Sequence, residues 1–539
     1  MRKTIQFDNS RARSYKKRSE VLAFRSEDPI CFKKPWGDQE LRSNGWLIVP
    51  LTENGDVTND LYGCDADVFA DTYEPSPSLR PNRYRKKETI RAYQPGDAFE
   101  IDTILPDGHV EVMGSGTDSY DAWVVRAPSG EIYLVEDEEF RRTYVEVIER
   151  TDGYQIKSRD QHWEADGTPK RILALDGGGV RGILTLGYLE RIEEILRKRH
   201  GGFQSFRLSH YFDLIAGTST GAIIAACLAK GMEVKEIREL YEELGRTVFK
   251  RSFLREGVLR MLRAKYSAKW LKTFLKDVFQ NNTLGSLSLQ TGLLIVAKRL
   301  DTGSAWPMAN NPGNRFFTAK PGDDFFSNED YPLRTVVRAS TAAPSFFAPE
   351  YIEISHEGER PHGEFVDGGV SPHNNPSLLA LQLVTLKGFG AGWALDPDKL
   401  FLVSVGTGTA QPGTSKSLFA GQHAIKSLLS LMDDCAESVE TVMQWLSNSP
   451  TARHIDAAML DLAPDLLAER PLLQYLRYNV QFERDWLKEN LGKKMSESEI
   501  KKLKEMDRSE NIPLLSEIGI QAARLQIDDQ HFPSGFDLI

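Results

Sequence analysis

The stretch "YFDLIAGTSTGAIIAACLAKG", residues 211–231, places one serine, Ser219, between two glycines in the spacing G-x-S-x-G. The apolar run 214–216 predicts a short buried strand, and the run 222–229 predicts a buried helix. Glycines permit the sharp strand-to-helix turn that this order requires. Such a turn presents the serine oxygen at a helix N-terminus, where negative charge is favoured. A plain glycine-rich turn with a capping serine or threonine is the alternative, because five-residue patterns recur by accident.

The composition is that of an ordinary globular protein and limits the classes of partner. The chain has 539 residues, of which 40% are hydrophobic and 27% charged, and this length suggests about two to four domains. A net charge of −10 argues against a nucleic-acid polymer as partner. The 4 cysteines lack C-x-x-C spacing, which argues against a zinc site or a disulfide framework. With no apolar signal core or apolar run of about 18 residues, we expect a cytoplasmic protein.

The character of the sequence changes near residue 165. Residues 1–165 contain short β-like runs separated by turn signals. From Arg171 onward, predicted strands alternate with predicted helices, which is typical of an α/β fold. We therefore predict a central, mostly parallel sheet between helices, preceded by a separate β-rich region.

The β-rich region carries signs of an internal duplication. Three pairs of segments match one another: 15–24 with 84–93, 44–49 with 121–126, and 68–74 with 139–145. The Pro-rich segment 75–83 separates them as a linker would. We predict two β-rich modules, 1–82 including the linker and 83–165, built on repeats of about 65–70 residues. Chance similarity is the alternative. Because neither half clusters His, Cys or acidic residues, binding, sensing or assembly is the expected class of role.

A glycine loop precedes the serine in the chain. In "RILALDGGGVRG", residues 171–182, an apolar strand is followed by Gly177, Gly178 and Gly179. A bare backbone of this kind can turn several N–H groups toward one point, as the oxyanion of an attacked ester requires. A phosphate-binding loop is the alternative, but no Lys-Ser/Thr follows the glycines, and the bare G-x-G-x-x-G match is weak.

A serine nucleophile also needs a base. None of the late histidines stands in a distinctive context; these are His356, His362, His373, His423, His454 and His531. Asp367 stands out instead in "GEFVDGGVSPHNNP", residues 363–376, where it ends a predicted strand and enters a Gly-Gly turn. A carboxylate there can face a neighbouring strand end at the carboxyl edge of a sheet. A common Asp-Gly turn is the alternative.

Together, these three segments resemble the patatin-like phospholipase family. The matching motifs are D-G-G-G-x-R-G at 176–182, G-T-S-T-G at 217–221 and D-G-G at 367–369, in that order. Three further segments resemble family features: "RASTAAPSFFAP" at 338–349, "LFLVSVGTGT" at 400–409 and "ERPLLQYLRYNV" at 469–480. The resemblance covers about residues 168–480 and predicts a patatin-like domain at 166–539 with a three-layer α/β fold.

The resemblance also implies a mechanism, because patatins use a Ser–Asp dyad without histidine. By position, Ser219 is then the nucleophile and Asp367 accepts its proton. The resemblance assigns the oxyanion hole to Gly177, Gly178 and Gly179, with Arg181 nearby. The implied reaction is hydrolysis of acyl esters through an acyl-serine intermediate, with no metal and no cofactor.

The implied activity is that of a phospholipase A acting on membrane phospholipid, with the protein peripheral at the membrane when active. A basic amphipathic stretch, 250–279, could lie on lipid or pack as helices against the core. Other family members in bacteria act as antiviral defence effectors, so a small-molecule or protein activator and a homo-oligomer formed through the β-rich modules are candidate partners. The alternatives are an esterase or thioesterase acting on other acyl groups and a catalytically silent scaffold.

Overall fold

The computed structural model describes residues 154–538 except 249–267, 321, 345, 356–360, 410–419 and 457. Before residue 154 it describes the strands and a few residues beside them. The chain forms two compact units, Met1–Glu149 and Arg150–Ile539.

The first unit is built from short strands in small sheets. The strands are β1 Lys3–Ile5, β2 Arg13–Lys17, β3 Glu20–Arg25, β4 Ile30–Lys34, β5 Gly37–Leu41, β6 Trp46–Pro50, β7 Tyr62–Cys64, β8 Tyr73–Pro75, β9 Arg83–Lys86, β10 Thr89–Tyr93, β11 Phe99–Ile104, β12 Val110–Gly114, β13 Trp123–Arg126, β14 Ile132–Val135 and β15 Tyr144–Glu146. Two of the sheets are five-stranded, with orders β7-β6-β3-β9-β8 and β14-β13-β10-β2-β15.

The two five-stranded sheets repeat one arrangement, with an exchange of strands between the repeats. If β2, β3, β6, β7 and β8 correspond to β9, β10, β13, β14 and β15, both sheets have the same strand order. The first strand of each repeat, however, lies in the sheet of the other repeat: β9 joins β3, β6, β7 and β8, and β2 joins β10, β13, β14 and β15. Tyr84 of β9 pairs with Val21 of β3, and Tyr15 of β2 pairs with Ile90 of β10. The sheets therefore do not follow the predicted modules 1–82 and 83–165, since each of those ranges supplies one strand to the other sheet.

The exchanged strands complete two matching aromatic clusters. Trp46 stacks on Phe69 with ring centroids 4.0 Å apart, and Tyr84 meets Trp46 edge-on at 5.4 Å. The second cluster contains Trp123 stacked on Phe140 at 4.0 Å, with Tyr15 edge-on to Trp123 at 5.4 Å. Offset and edge-on aromatic pairs add about 0.5–1.5 kcal/mol each beyond their area burial. The exchanged tyrosines thus tie each repeat to the core of the other.

The second unit alternates strands with helices, as the sequence predicts. Its strands are β16 Lys170–Leu175, β17 Leu214–Thr218, β18 Gly292–Arg299, β19 Ser304–Ala309, β20 Glu350–Glu353, β21 His362–Asp367, β22 Leu400–Val405, β23 Ser447–Asn448 and β24 Leu473–Tyr478. Its α-helices are α1 Arg159–Trp163, α2 Gly182–Arg199, α3 Leu208–Tyr211, α4 Thr220–Ala229, α5 Val234–Val248, α6 Ala268–Phe279, α7 Leu333–Ser340, α8 Ser377–Thr385, α9 Ala420–Leu446, α10 Arg484–Leu491, α11 Glu497–Leu503 and α12 Ile512–Gln526.

A nine-stranded sheet lies between two helical layers. Its order is β20-β21-β18-β17-β16-β22-β24-β23, with β19 also paired to β18. Strands β23, β24, β22, β16, β17 and β18 are mutually parallel, and β19, β20 and β21 add antiparallel pairs. Leu173 and Leu175 face one core with α2, α4 and α12, while Ile172 and Ala174 face the other with α8. Since successive strand residues point to opposite faces, β16 is buried on both. The predicted α/β class with a mostly parallel sheet is confirmed.

The second unit begins earlier than the predicted residue 166. In α1, Trp163 Nε1 donates to Asn310 Oδ1 at 3.2 Å, and His162 Nδ1 lies 2.9 Å from Asp213 Oδ1. His162 and Asp213 are both fully buried. These contacts make residues 154–163 part of the sheet's support, so we propose Arg150 as the start of this domain.

The basic amphipathic stretch is described only in its second half. Helix α6 buries Leu271, Leu275 and Phe279 against the core, as the core-packing alternative predicts. Residues 249–267 lie outside the described residues.

Candidate active site

Ser219 occupies a strained elbow between β17 and α4. It has φ 55° and ψ −125°, a backbone conformation that side-chain-bearing residues rarely adopt. The flanking glycines allow it, since a methyl group on Gly217 would lie 2.3 Å from the carbonyl oxygen of Gly221. A methyl on Gly221 would lie 2.4 Å from the carbonyl oxygen of Leu175, at the end of the adjacent β16. The G-x-S-x-G spacing is thus a packing requirement of the turn, and it lifts the serine above the sheet edge.

The sheet register brings Asp367 next to Ser219. Thr218, the last residue of β17, pairs with Val296 of β18, and the next β18 residue, Ala297, pairs with Asp367 of β21. Strand β21 therefore occupies the place on β18 directly beyond the end of β17. As a result, Ser219 Oγ donates a hydrogen bond to Asp367 Oδ2 at 2.6 Å. The two predicted catalytic residues are in direct contact, with no histidine between them.

The environment of Asp367 suits a base that works near neutral pH. Asp367 is 4% exposed, and burial raises its pKa to about 6. Hydrogen bonds from Ser219 Oγ and from the backbone N–H of Gly369, the latter at 2.8 Å, limit the rise, as does the Arg338 guanidinium. A carboxylate with this pKa is ionised at pH 7 yet basic enough to accept a proton from an attacking hydroxyl.

Helix α7 and the loop after it hold the backbones of both residues. The N–H of Ser219 donates to Ser340 Oγ at 2.9 Å, and Ser340 Oγ in turn donates to the carbonyl of Val296 at 2.6 Å. The N–H of Asp367 donates to the carbonyl of Ala342 at 3.1 Å. Sequence reasoning missed Ser340, although it lies in the quoted segment 338–349. Its position in that segment is the signal that could have led to it.

The glycine loop lies against the nucleophile. A methyl group on Gly177 would lie 2.9 Å from Ser219 Cβ, so the loop touches the elbow. The N–H of Gly177 already donates to the carbonyl of Asn374 at 3.2 Å, and the N–H of Gly178 makes a longer contact, 3.3 Å, with Thr220 Oγ1. Gly179 has φ 58° and begins the short 3₁₀ helix Gly179–Arg181. The glycine loop therefore meets the elbow at Gly177, and the N–H groups of Gly177 and Gly178 both donate to protein acceptors.

Arg181 is buried at 3% exposure and ends the short 3₁₀ helix that begins at Gly179. Its Nη1 donates a hydrogen bond to the carbonyl of Gly408 at 3.3 Å. This bond does not involve Ser219 or Asp367. Burial lowers the pKa of Arg181, although the carboxylates of Asp433 and Asp176 oppose that shift. Arg181 therefore links the end of the glycine loop to the backbone at Gly408.

A buried ion pair fixes the start of the glycine loop. Arg477 of β24 contacts Asp176 with both terminal nitrogens, at 3.0 and 2.6 Å, and also donates to Ser404 Oγ at 2.8 Å. Burial alone would lower the pKa of Arg477, but the Asp176 carboxylate raises it overall. A bidentate pair fixes direction as well as distance. Arg477, a residue of the quoted segment 469–480, therefore orients the backbone immediately before Gly177.

Two further findings bear on ligands and membranes. Within the described residues, no group of three or more His, Cys, Asp or Glu side chains could hold a metal ion. In the same part of the chain, no helix combines the length and apolar character needed to cross a bilayer.

These features define an α/β protein with a serine–aspartate pair and a glycine loop at the carboxyl edge of its sheet. The family model for patatin-like phospholipase matches residues 173–381. A cUMP-AMP-activated phospholipase from Escherichia coli is 31% identical over 306 residues, which are 55% of this chain and 84% of that protein. The chain belongs to the patatin-like phospholipase family.

Two other relatives share a smaller part of their length. A cGAMP-activated phospholipase from Escherichia coli strain TW11681 is 29% identical over 251 residues, covering 46% of this chain and 65% of that protein. Patatin-17 from Solanum cardiophyllum is 28% identical over 252 residues, covering 44% of this chain and 60% of that protein. The chain thus spans less than two thirds of the length of either.

Proposed function

We propose that this protein is a lipid acyl hydrolase of the phospholipase A type, with Ser219 as nucleophile and Asp367 as its base. The observation that carries the proposal is the 2.6 Å hydrogen bond from Ser219 Oγ to Asp367 Oδ2 at a strained elbow. Family membership supports the reaction class.

The reaction runs in two halves. Ser219 Oγ attacks the ester carbonyl carbon and passes its proton to Asp367, which returns it to the departing alcohol. Water then attacks the acyl-serine, gives a proton to Asp367, and Ser219 Oγ leaves and takes that proton back. Carboxylate-assisted proton transfer of this kind contributes about 10²–10⁴-fold to the rate.

The glycine loop would hold the oxyanion of the tetrahedral intermediate. Of the predicted set Gly177, Gly178, Gly179 and Arg181, we favour the N–H groups of Gly178 and Gly179 as donors. The N–H of Gly177 is held by a main-chain carbonyl, that of Asn374, whereas the N–H of Gly178 donates at 3.3 Å to the hydroxyl of Thr220, an acceptor that an oxyanion can replace. Gly177 then lets the loop pack against Ser219, and Arg181 anchors the end of the loop through its hydrogen bond to Gly408. Losing one oxyanion donor typically costs about 2.7–4 kcal/mol of transition-state stabilisation.

The relatives support a proposal for the substrate and for the control of activity. Two are named as phospholipases activated by cGAMP or cUMP-AMP. We propose a membrane phospholipid as substrate, peripheral membrane binding during activity, and a cyclic dinucleotide as activator, in the setting of antiviral defence. The unit Met1–Glu149 would then provide control or assembly, including homo-oligomer formation.

A liposome assay tests the proposal. The full chain is incubated with phosphatidylglycerol–phosphatidylethanolamine vesicles, with and without a panel of cyclic dinucleotides, and released fatty acid is measured. We expect fatty-acid release that falls at least 100-fold in Ser219→Ala and in Asp367→Asn. Ser438→Ala, an exposed serine on α9, is the matched control and should keep wild-type activity.

The other readings give different results. Hydrolysis of short soluble esters alone, with no release from vesicles under any condition, would identify a non-phospholipid esterase or thioesterase. No hydrolysis of either substrate, with every cyclic dinucleotide tried, would favour a silent scaffold. Activation by none of the cyclic dinucleotides, with hydrolysis present, would remove only the proposed activator.

A further inference from the structure

The loop between Asp367 and α8 connects both halves of the site through its backbone. The carbonyl of His373 accepts a hydrogen bond from Thr218 Oγ1 at 2.7 Å, just before the nucleophile. The carbonyl of the next residue, Asn374, accepts from the N–H of Gly177 at 3.2 Å. The position of Asn374 is therefore fixed relative to the elbow and to the glycine loop.

The side chain of Asn374 is buried and only half satisfied. Asn374 is 6% exposed, and its Nδ2 donates to the carbonyl of Gly177 at 3.4 Å. Its Oδ1 is buried and has no hydrogen-bond partner among the described residues. Buried side-chain acceptors are normally paired with a donor, so an unpaired one next to a reactive serine calls for a ligand that donates.

The amide oxygen borders the same small space as both members of the dyad. A methyl group on Gly177 would lie 2.6 Å from Asn374 Oδ1 and 2.9 Å from Ser219 Cβ. A methyl on Gly369 would lie 2.8 Å from Met432 Cε, 3.0 Å from Asn374 Oδ1 and 3.1 Å from Asp367 Oδ1. Asn374 Oδ1 therefore packs close to both the nucleophile and its base, across two positions that have no side chain.

We propose that Asn374 is a further catalytic residue that holds the hydrolytic water in the second half-reaction; this inference rests on the proposed function. The water donates one O–H to Asn374 Oδ1 and the other to Asp367, which leaves an oxygen lone pair free to attack the acyl carbon on Ser219. The new C–O bond forms as Asp367 takes the proton. The Ser219 Oγ–C bond then breaks, Ser219 regains the proton, and the fatty acid leaves.

The first half-reaction needs no such water, and this difference makes the role measurable. Acylation uses the hydroxyl of Ser219, which Asp367 already accepts at 2.6 Å. Removing Asn374 Oδ1 should therefore slow deacylation much more than acylation. A residue that merely supported the loop would slow both by similar factors.

The test is pre-steady-state kinetics of the full chain with p-nitrophenyl butyrate. In Asn374→Ala, we expect an initial burst of p-nitrophenol within about threefold of the wild-type rate, followed by a steady-state rate at least tenfold lower. Intact-protein mass spectrometry should then show a butyryl group that accumulates on Ser219. Asn375→Ala is the matched control, because the Asn375 amide oxygen accepts from Ser377 N at 3.1 Å and Ser377 Oγ at 2.6 Å. It should accumulate no acyl-enzyme.

A second variant keeps the test decisive if Asn374→Ala fails to fold. Asn374→Asp retains an acceptor oxygen but adds a negative charge beside Asp367, which raises the pKa of Asp367. We expect its deacylation to approach the wild-type rate only at higher pH. Equal falls in burst and steady-state rates for Asn374→Ala, or deacylation in Asn374→Asp that stays slow at every pH, would overturn the inference. No burst or turnover in the wild type, with every cyclic dinucleotide tried, would contradict the proposed function itself.

Discussion

At the residue scale, the buried guanidinium of Arg338 moderates the pKa of Asp367. Arg338, at 2% exposure, lies in the last turn of α7 and donates from Nη2 to the carbonyl of Ala348 at 2.9 Å. Its guanidinium lowers the pKa of Asp367, while burial of Asp367 raises it. The resulting pKa, about 6, keeps the base ionised at pH 7.

The pH dependence of catalysis should report this balance. Because protonated Asp367 cannot act as a base, kcat/KM on a soluble ester should fall as the pH drops, with a midpoint near the Asp367 pKa of about 6. In Arg338→Gln the lost positive charge should move that midpoint upward. Arg334→Gln, on the same helix, should leave it unchanged. A wild-type midpoint near 4, or identical midpoints in all three proteins, would contradict the assignment.

The raised pKa also predicts a gain in stability on neutralisation. The folded-state pKa of Asp367, about 6, exceeds the ordinary aspartate value of 3.8, so Asp367 favours folding only while it is protonated. Its charge destabilises the folded chain as pH rises through that interval. Asp367→Asn should therefore unfold at higher urea concentration than wild type at pH 8, with a much smaller difference at pH 4. A difference that is the same at both pH values would show that the carboxylate is not strained by burial.

The residues that the sequence could identify are those with a local signal. Ser219 directly follows strand β17 and Asp367 ends strand β21, and each lies in a glycine turn. These turns, in their order along the chain, carry the family resemblance that assigns the two residues their roles. Ser340 and Asn374 lie in segments that resemble the family, but neither follows a strand end or lies between glycines, and their contacts to Ser219 and Gly177 arise only when distant segments fold together. A serine in a helix and an asparagine in a loop are ordinary until the partner is known.

At the scale of elements, the site depends on how closely β16, β17 and α4 approach. The backbone of α4 at Gly221 lies directly over the end of β16, where a side chain would collide with the carbonyl oxygen of Leu175. The elbow can point Ser219 at Asp367 only while this contact is kept. Gly217 and Gly221 are thus both required for β16, β17 and α4 to pack together, and Ser219 keeps its position only when both are present.

Substitution at the elbow should therefore cost stability as well as activity. Gly221→Ala should lower the free energy of unfolding by about 1–3 kcal/mol, the usual range for an overpacked core, and abolish ester hydrolysis by moving Ser219. Gly388→Ala is the control, because a methyl at Gly388 meets nothing within 4 Å. Urea unfolding followed by circular dichroism measures both variants. A fully stable and active Gly221→Ala protein would show that the elbow can widen without loss.

Element types were predictable here, but strand partners were not. The apolar runs around Leu173 and Ile215 predict β16 and β17, and the structure contains both. The insertion of antiparallel β21 beyond the end of β17 leaves no local mark, since it depends on the register of β18. The exchange of β2 and β9 between the two sheets could not be predicted either, because the local sequence pattern of each strand is the same with or without the exchange.

At the scale of the whole molecule, the second unit needs its N-terminal segment. Asp213, fully buried, contacts Lys157 at 3.3 Å, His162 at 2.9 Å and Arg171 at 3.1 Å. A chain that begins at residue 166 loses the first two of these partners together with Trp163. It leaves a buried carboxylate with part of its compensation removed.

Two truncated chains, 150–539 and 166–539, should differ clearly in stability. The chain 150–539 should fold and unfold cooperatively, whereas 166–539 should be less stable by about 3–5 kcal/mol, the usual cost of breaking a buried charge pair. Urea denaturation of both, at equal concentration, is the measurement. Asp213→Asn in the shorter chain should recover part of the loss, since it removes the uncompensated charge. Equal midpoints for the two chains would place residues 154–163 outside the folding unit.

The final prediction concerns what the first unit does for the second. A phospholipase of the proposed kind must reach membrane to act, and a chain with net charge −10 is repelled by anionic lipid unless a basic surface is presented. Access to lipid is therefore the natural step to control, and the duplicated first unit, which lies outside residues 173–381 of the family match, is the natural place for that control.

We expect the chain 150–539 to hydrolyse a soluble short-chain ester within about threefold of the full chain. On vesicles, or in the response to an activator, the two should differ at least tenfold, since two similar sheets suit bivalent binding or chain-to-chain assembly. Light scattering of both chains shows whether assembly accompanies the difference. Equal rates on both substrates, with equal oligomeric state, would remove the first unit from control.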